Sequence, residues 1–181
     1  MRACTKCGRA PLERKRGIEV GHIFQLGDKY TKPMNMRYAG ENGEAAYPLM
    51  GCYGIGIGRL AASVCEVRRD ARGPVWPAAV APWRVHLCCL RSEELSVKEA
   101  ADRLYGELQS AGEEVICDDR KVSAGVMFAD ADLLGVPIRA LVSPRSLRDG
   151  KVELTSRDGK IKLEVGMEDA AEAIIRLTRE A

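Results

Sequence analysis

Between Met50 and Ala62 the chain reads Met-Gly-Cys-Tyr-Gly-Ile-Gly-Ile-Gly-Arg-Leu-Ala-Ala, with glycine at alternate positions 54, 56 and 58 and a single arginine at 59. Alternate residues of a strand share a face. This spacing therefore predicts a strand with one face bare of side chains, running straight into a helix. A bare face lets a flat ligand, or a neighbouring helix, lie directly against the backbone. At the strand-to-helix junction the planar guanidinium of Arg59 is suited to stacking on a base or pairing with phosphate. The spacing fits neither G-x-G-x-x-G nor G-x-x-x-x-G-K-[ST]. Two readings stand side by side: an adenine nucleotide held on a sheet, or a tightly packed strand.

The flanking segments say what kind of sheet this is. Residues 16–26, Arg-Gly-Ile-Glu-Val-Gly-His-Ile-Phe-Gln-Leu, have the β-branched and aromatic content of a strand. Gly21 thins that strand and His22 adds a polar ring to it, as in the wall of a small-substrate pocket or around a satisfied core histidine. Glu41-Asn42-Gly43-Glu44 is a hairpin-turn signal, and residues 45–52 read as a second strand leading into the glycines. From Gly58 to Arg69, Leu60, Ala61, Val64 and Cys65 recur at helical spacing. Strand, hairpin, strand and helix make an antiparallel unit with too few layers to close a core.

Residues 72–83 carry Pro74, Pro77, Pro82, Trp76 and Trp83. They read as an extended linker pinned by its aromatic rings. After it, residues 85–90 form a continuous apolar strand. Residues 93–110 form a helix with Leu95, Ala101, Leu104, Tyr105 and Leu108 facing inward and Gly112 as its stop. Further strands follow at 115–117 and 138–142, a helix at 125–134, a hairpin at 151–165 and a terminal helix at 167–179. Alternating strands and helices imply right-handed parallel crossovers. Ligands of such sheets gather beyond the carboxyl ends of the strands, where Asp118-Asp119-Arg120-Lys121 and Ser143-Pro144-Arg145-Ser146-Leu147-Arg148 both fall. Carboxylates accept from exocyclic amines and Arg/Lys pair with phosphate, so these loops suit an RNA ligand; internal Asp–Arg pairing in a solvated turn is the alternative.

Charge sharpens this division. Residues 1–83 hold 13 Lys/Arg against 7 Asp/Glu, a balance of +6, while residues 84–181 hold 15 against 19, a balance of −4. The second part can bind a polyanion only through local basic clusters. Seven cysteines without framework spacing point to a reducing compartment, and so to the cytoplasm. No run approaches the roughly 20 apolar residues that span a bilayer, and no signal-peptide core opens the chain. Cys4-x-x-Cys7 offers half of the four ligands structural zinc requires, and no second pair follows, so no metal site is expected.

Taken together, Cys4-x-x-Cys7-Gly8, the peptides 16–27 and 50–56, Trp76-Pro77 with Ala81-Pro82, and Asp118-Asp119-Arg120 resemble the C-terminal part of bacterial-type prolyl-tRNA synthetases, which are class II synthetases. The resemblance implies an α/β chain: part of the antiparallel class II catalytic sheet with its helix, then a mixed five-stranded α/β anticodon-binding domain. It divides the chain into 1–15 (the end of an insertion), 16–72 (catalytic), 73–83 (linker) and 84–181 (anticodon-binding). It implies that Gly54, Gly56 and Gly58 admit ATP, that Arg59 is the catalytic arginine on its adenine or phosphates, and that Gly21, His22 and Cys52 line a proline pocket. Asp118, Asp119, Arg120, Lys121 and Arg145 would meet the tRNA anticodon. ATP with Mg²⁺, proline, the tRNA for proline and a homodimeric parent enzyme come with the family. Gly58 stands where the family has serine, and residues 122–125, Val-Ser-Ala-Gly, stand where it has Glu-Arg-Pro-Gly. The family's first two signature motifs are not among these 181 residues, so proline activation is not expected of this chain alone. A non-catalytic RNA-binding or regulatory paralogue and, behind it, a nucleotide-sensing module are the competing readings.

Overall fold

The computed structural model describes residues 2–8 and 11–180 and divides into two compact units, Met1–Ser63 and Val64–Ala181.

In the first unit β1 (Arg2–Ala3) and β2 (Pro11–Leu12) pair antiparallel. The Cys4-x-x-Cys7 turn lies between them, where the Gly8 N–H donates to the Cys4 carbonyl at 2.8 Å. β3 (Gly21–Gly27) is followed by the small hairpin β4 (Tyr38–Ala39) and β5 (Ala45–Ala46). Its turn falls on the Asn42-Gly43 signal, with Gly43 at φ +80°. β6 (Met50–Ile55) pairs antiparallel with β3 and leads into α1 (Ile57–Val67). Two expectations are corrected here. The second strand is interrupted between Ala46 and Met50, and the glycine strand stops at Ile55, so Gly58 lies inside the first turn of α1. A two-residue periodicity continued into a helix, and only the first part of it is extended backbone.

This unit has almost no interior. Among its described residues only Thr31 is buried, its hydroxyl donating to the Pro48 carbonyl at 2.9 Å. Ile23, Phe24, Tyr53 and Ile55 of the β3–β6 pair are all exposed. α1 buries no residue: Val64 and Cys65 are half-buried, while Leu60 and Ala61, expected inward, are exposed. A two-stranded sheet is marginal by itself in water, and β3–β6 is such a sheet, in line with the shortage of layers read from the sequence.

The second unit begins with a hairpin the sequence does not announce, β7 (Arg69–Asp70) and β8 (Gly73–Pro74). Then come β9 (Val85–Cys89), α2 (Leu95–Ser110), β10 (Val115–Asp118), α3 (Ala124–Leu134), β11 (Ile138–Val142), α4 (Pro144–Arg148), β12 (Lys151–Ser156), β13 (Lys162–Gly166) and, after a 3₁₀ turn at Met167–Asp169, α5 (Ala170–Glu180). The sheet order is β10-β9-β11-β12-β13, parallel across the first three strands and antiparallel beyond. β9 is buried throughout because both its faces are covered, and the continuous apolar run expected at 85–90 is broken by one polar ring, His86. Val85, Leu87 and Cys89 pack with Leu104, Leu108 and Ile174 of α2 and α5, while Cys88 packs with Met127 and Ala131 of α3. α2 begins at Leu95, which is 69% exposed rather than inward; the inward stripe starts two residues later, at Val97. Gly112, at φ +81°, supplies the left-handed residue just beyond the helix end.

The β7–β8 hairpin is bound firmly within this unit. Arg157, whose side chain is only 2% exposed, donates from Nη1 and Nη2 to the two carboxylate oxygens of Asp70 at 2.8 Å each, and from Nε to the Asp132 carbonyl at 2.8 Å. Gly135 ends α3 in the left-handed conformation at φ +72°, and a Cβ there would collide with the Pro74 carbonyl oxygen. The Trp76 N–H donates to the Gly135 carbonyl at 3.2 Å. The compact units thus part at Ser63/Val64, ahead of the proline- and tryptophan-bearing segment. No helix among the described residues is long and apolar enough to cross a membrane.

Candidate functional site

Two places carry the residues singled out from the sequence, one in each unit. In the first, the β3–β6 register sets His22 opposite Gly54 and Phe24 opposite Cys52. Directly paired residues share a face, so His22, Phe24, Cys52 and the bare Gly54 form one surface. The His22 and Phe24 rings stack, with centroids 3.9 Å apart and planes 6° from parallel. Nothing lies within 4 Å of where a Gly54 Cβ would be. The patch is open: His22 is half-exposed rather than a core histidine, and Cys52 is exposed. Gly21 lies opposite Ile55, one residue out of phase with this face.

Arg59 sits at the end of this surface. It projects from the first turn of α1 and its Nη1 donates to the Glu19 carbonyl at 2.8 Å. The Gly56 N–H donates to the Val20 carbonyl at 2.9 Å, tying the helix start to the approach of β3. The Glu19 carboxylate also stands 3.7 Å from His22 Nδ1. One acidic residue thus touches both the arginine and the histidine. A flat heterocycle on the bare face and an anion at the helix start, where backbone N–H groups are unsatisfied, suit this arrangement.

In the second unit the carboxyl ends of β9, β10 and β11 meet as expected. Asp118 is buried and accepts from Arg120 Nε at 2.8 Å and Nη2 at 2.7 Å. Arg120 Nη2 also donates to Asp130 of α3 at 2.7 Å. The guanidinium hydrogen bonds hold the Asp118 carboxyl below its usual range and raise Arg120 in turn. Arg120 is therefore a strut between β10 and α3, the internal pairing kept open as the alternative above. Asp119 presents its carbonyl to the Ser92 hydroxyl at 2.6 Å, which joins the β9 and β10 loops. The side chains of Asp119 and Lys121 are exposed. Beneath Asp118, His86 is 2% exposed and neither ring nitrogen has a hydrogen-bond partner among protein atoms; burial pushes its pKa down.

A separate hollow of about 570 Å³ is lined by Arg91, Ser123, Phe128, Arg145 and Arg148, with one carboxylate, Glu153. Ser123 caps α3, its hydroxyl accepting from the Val126 N–H, and so marks the positive end of that helix dipole. Ser143 and Ser146 form a reciprocal capping box that turns residues 144–148 into α4 and leaves Arg145 and Arg148 exposed. The Ser-Pro-x-Ser spelling was the signal for this helix, which replaces the expected loop. Arg91 is a further residue of this hollow that the sequence reading does not single out. It lies two residues beyond the end of β9, in the left-handed conformation at φ +58°, and pairs with Glu94 at 3.3 Å. The strand-end rule that selects the other two loops selects it as well. Three guanidinium groups around one hollow can hold phosphates and base edges. Among the described residues no group of three or more His, Cys, Asp or Glu is placed to hold a metal ion.

A family model described as "Anticodon binding domain" matches residues 81–177. Among curated proteins, the proline–tRNA ligase of Caldicellulosiruptor bescii is 45% identical over 177 residues, covering 98% of this chain and 31% of the relative. Those of Geobacillus sp. and Syntrophus aciditrophicus are 44% and 43% identical, covering 96% and 97% of this chain and 30% of each relative. The chain thus spans about three-tenths of the length of these relatives. Among solved structures, prolyl-tRNA synthetase from Cryptosporidium parvum complexed with L-proline and AMP superimposes with a TM-score of 0.77 at 22% identity, over 89% of this chain and 34% of that one. The same enzyme complexed with halofuginone and AMPPNP gives 0.76. The shared fold, and a family match over more than half of its residues, establish that the chain belongs to the anticodon-binding-domain family.

Proposed function

We propose that this chain is the C-terminal portion of a proline–tRNA ligase, contributing part of the aminoacyl-adenylate site and the anticodon-binding domain of that enzyme. The observation that supports this best is the similarity to proline–tRNA ligases over 177 residues, which runs through both compact units. The parent reaction joins proline and ATP to give prolyl-adenylate and pyrophosphate, and then passes the prolyl group to tRNA. Much of such catalysis is positioning and charge stabilisation. On this reading Gly54 and Gly56 leave room for ATP, with Gly58 opening the helix, and Arg59 meets the adenine or its phosphates. His22 and Cys52, on one face, border proline, with Gly21 leaving space at the strand edge. The exposed β3–β6 sheet is covered by strands outside these residues. Magnesium, which the family implies, finds no ligand set of three or more His, Cys, Asp or Glu among the described residues. The cytoplasm and a homodimeric assembly are the expected setting.

In the second unit Asp119, Lys121 and Arg145, joined by Arg91 and Arg148, face the anticodon loop. Asp118 and Arg120 position those residues rather than reading bases. Titrating the chain with tRNA bearing a proline anticodon, against tRNA with an unrelated anticodon, tests this at two salt concentrations. Binding should weaken with salt, prefer the proline anticodon, and fall roughly tenfold in the Arg145→Ala, Arg148→Ala double variant, as lost phosphate or base contacts would give. Equal affinity for both tRNAs, unmoved by the variant, overturns the anticodon assignment. Proline-dependent exchange of pyrophosphate into ATP by these 181 residues alone should stay at background.

A further inference from the structure

Cys89 and Cys117 lie on neighbouring parallel strands with their sulfurs 3.7 Å apart. The register places Cys117 opposite Leu87, so it shares the face of Leu87 and Cys89. Cys88, which packs with Met127 and Ala131, faces the other way. Cys89 is buried and Cys117 is exposed. The pair thus couples a thiol open to small solutes with a sheltered one in van der Waals contact behind it.

We propose that Cys117 and Cys89 form an oxidation site that takes a peroxide as its co-reactant and closes to an intramolecular disulfide. The Cys117 thiolate attacks one peroxide oxygen, the O–O bond breaks, and Cys117 becomes a sulfenic acid as water or an alcohol departs. The Cys89 sulfur then attacks the Cys117 sulfur, expels the sulfenic oxygen as water, and forms the S–S bond. Two thiols and one peroxide give one disulfide and two hydroxylic products, the two sulfurs supplying the two electrons that reduce the O–O bond.

Local electrostatics supports the division of roles. The hydrogen bond between the two sulfurs pulls the Cys117 thiol below its usual value, against opposing burial and the nearby carboxylates of Asp119, Asp102 and Asp118. That hydrogen bond and burial push Cys89 well up. Cys117 is accordingly the attacking thiolate and Cys89 the resolving thiol. Bridging requires the sulfurs to close to about 2 Å. β10 is the edge strand of the sheet, bonded to β9 alone, so closing the pair displaces no second strand.

The test uses the full reduced chain. It is treated with hydrogen peroxide, its remaining thiols are alkylated under denaturing conditions, and the linked peptides are assigned by fragmentation mass spectrometry. A Cys89–Cys117 link that dithiothreitol reverses, that Cys117→Ser abolishes, and that gives way to a dimedone-trapped sulfenic acid at Cys117 in Cys89→Ala is the expected result. Cys117 lies at the surface, so its variant keeps the fold, and circular dichroism checks this. The proposal fails if Cys117 goes to sulfinic acid while Cys89 stays reduced, if the link forms to Cys88, or if Cys117 remains alkylatable after Cys52 has been oxidised.

Discussion

Arg157 grips Asp70 through two parallel hydrogen bonds of 2.8 Å, so a strand-end guanidinium of the five-stranded sheet closes on a carboxylate in a hairpin 87 residues earlier. Arg157 is buried and Asp70 is partly exposed. Replacing Arg157 with methionine keeps the aliphatic packing but removes the charge-assisted bonds. Bonds of that kind contribute about 1.5–3 kcal/mol each at most, and the exposed side of Asp70 lowers the effect. Urea unfolding of R157M should show a loss of about 2 kcal/mol in the second unit.

Acid should reveal the same contact. The Arg157 hydrogen bonds hold the Asp70 carboxyl well below its ordinary 3.8. A depressed folded-state pKa adds stability that is fully present above the ordinary value and is lost as pH falls through the folded one. The melting-temperature gap between the wild type and Asp70→Asn should therefore be wide at neutral pH and narrow as pH drops below about 4. A gap that stays constant to acid would show that the pair contributes through packing alone.

His86 titrates with the opposite charge change but in the same direction. Burial lowers its pKa from 6.5, so folding keeps the ring neutral. Stability is present above about 6.5 and declines as pH falls below it, where the unfolded chain gains a proton the fold refuses. Removing two unpartnered buried nitrogens in His86→Phe should raise stability by about 1 kcal/mol at neutral pH. It should also flatten the decline between pH 7 and 5, which thermal melts across that range will measure.

The two units should respond differently to truncation of large side chains. Leu104 is fully buried and Tyr53 is 76% exposed. Leu104→Ala should cost about 2–5 kcal/mol, and Tyr53→Ala less than about 0.5 kcal/mol, by urea denaturation of the full chain.

Gly54 allows folding and chemistry to be separated. A side chain there meets nothing within 4 Å, so Gly54→Val should leave unfolding of this chain within about 0.5 kcal/mol. It would place a branched side chain opposite His22, on the face proposed for ATP. Introduced into a complete proline–tRNA ligase that carries this sequence, it should depress proline-dependent pyrophosphate exchange at least tenfold.

Periodicity made the second unit readable. β9, α2, α3 and β11 follow from apolar runs, helical spacing and the glycines at 112 and 135, because a covered sheet forces each of those patterns. The strand-end placement of Asp118 and Arg145 follows from topology. What the order of residues concealed was partner choice: Arg120 spends its donors on Asp118 and Asp130, and nothing local distinguishes such a strut from a ligand contact. The β7–β8 hairpin is hidden for a related reason, being held by an arginine far along the chain, whereas α4 carries a local sign in its serine pair three residues apart. In the first unit the glycine alternation runs three residues past the end of β6, since glycine accommodates strand and helix start alike.

The family match begins at residue 81, yet the carboxylate that neutralises Arg157 lies at residue 70. A recombinant module cut at the homology boundary would leave a sheltered cation without its counterion and strip the cover from the end of α3. Starting such a module at Val64 retains both. Any exchange of this module between proteins has to carry that short leading ribbon with it.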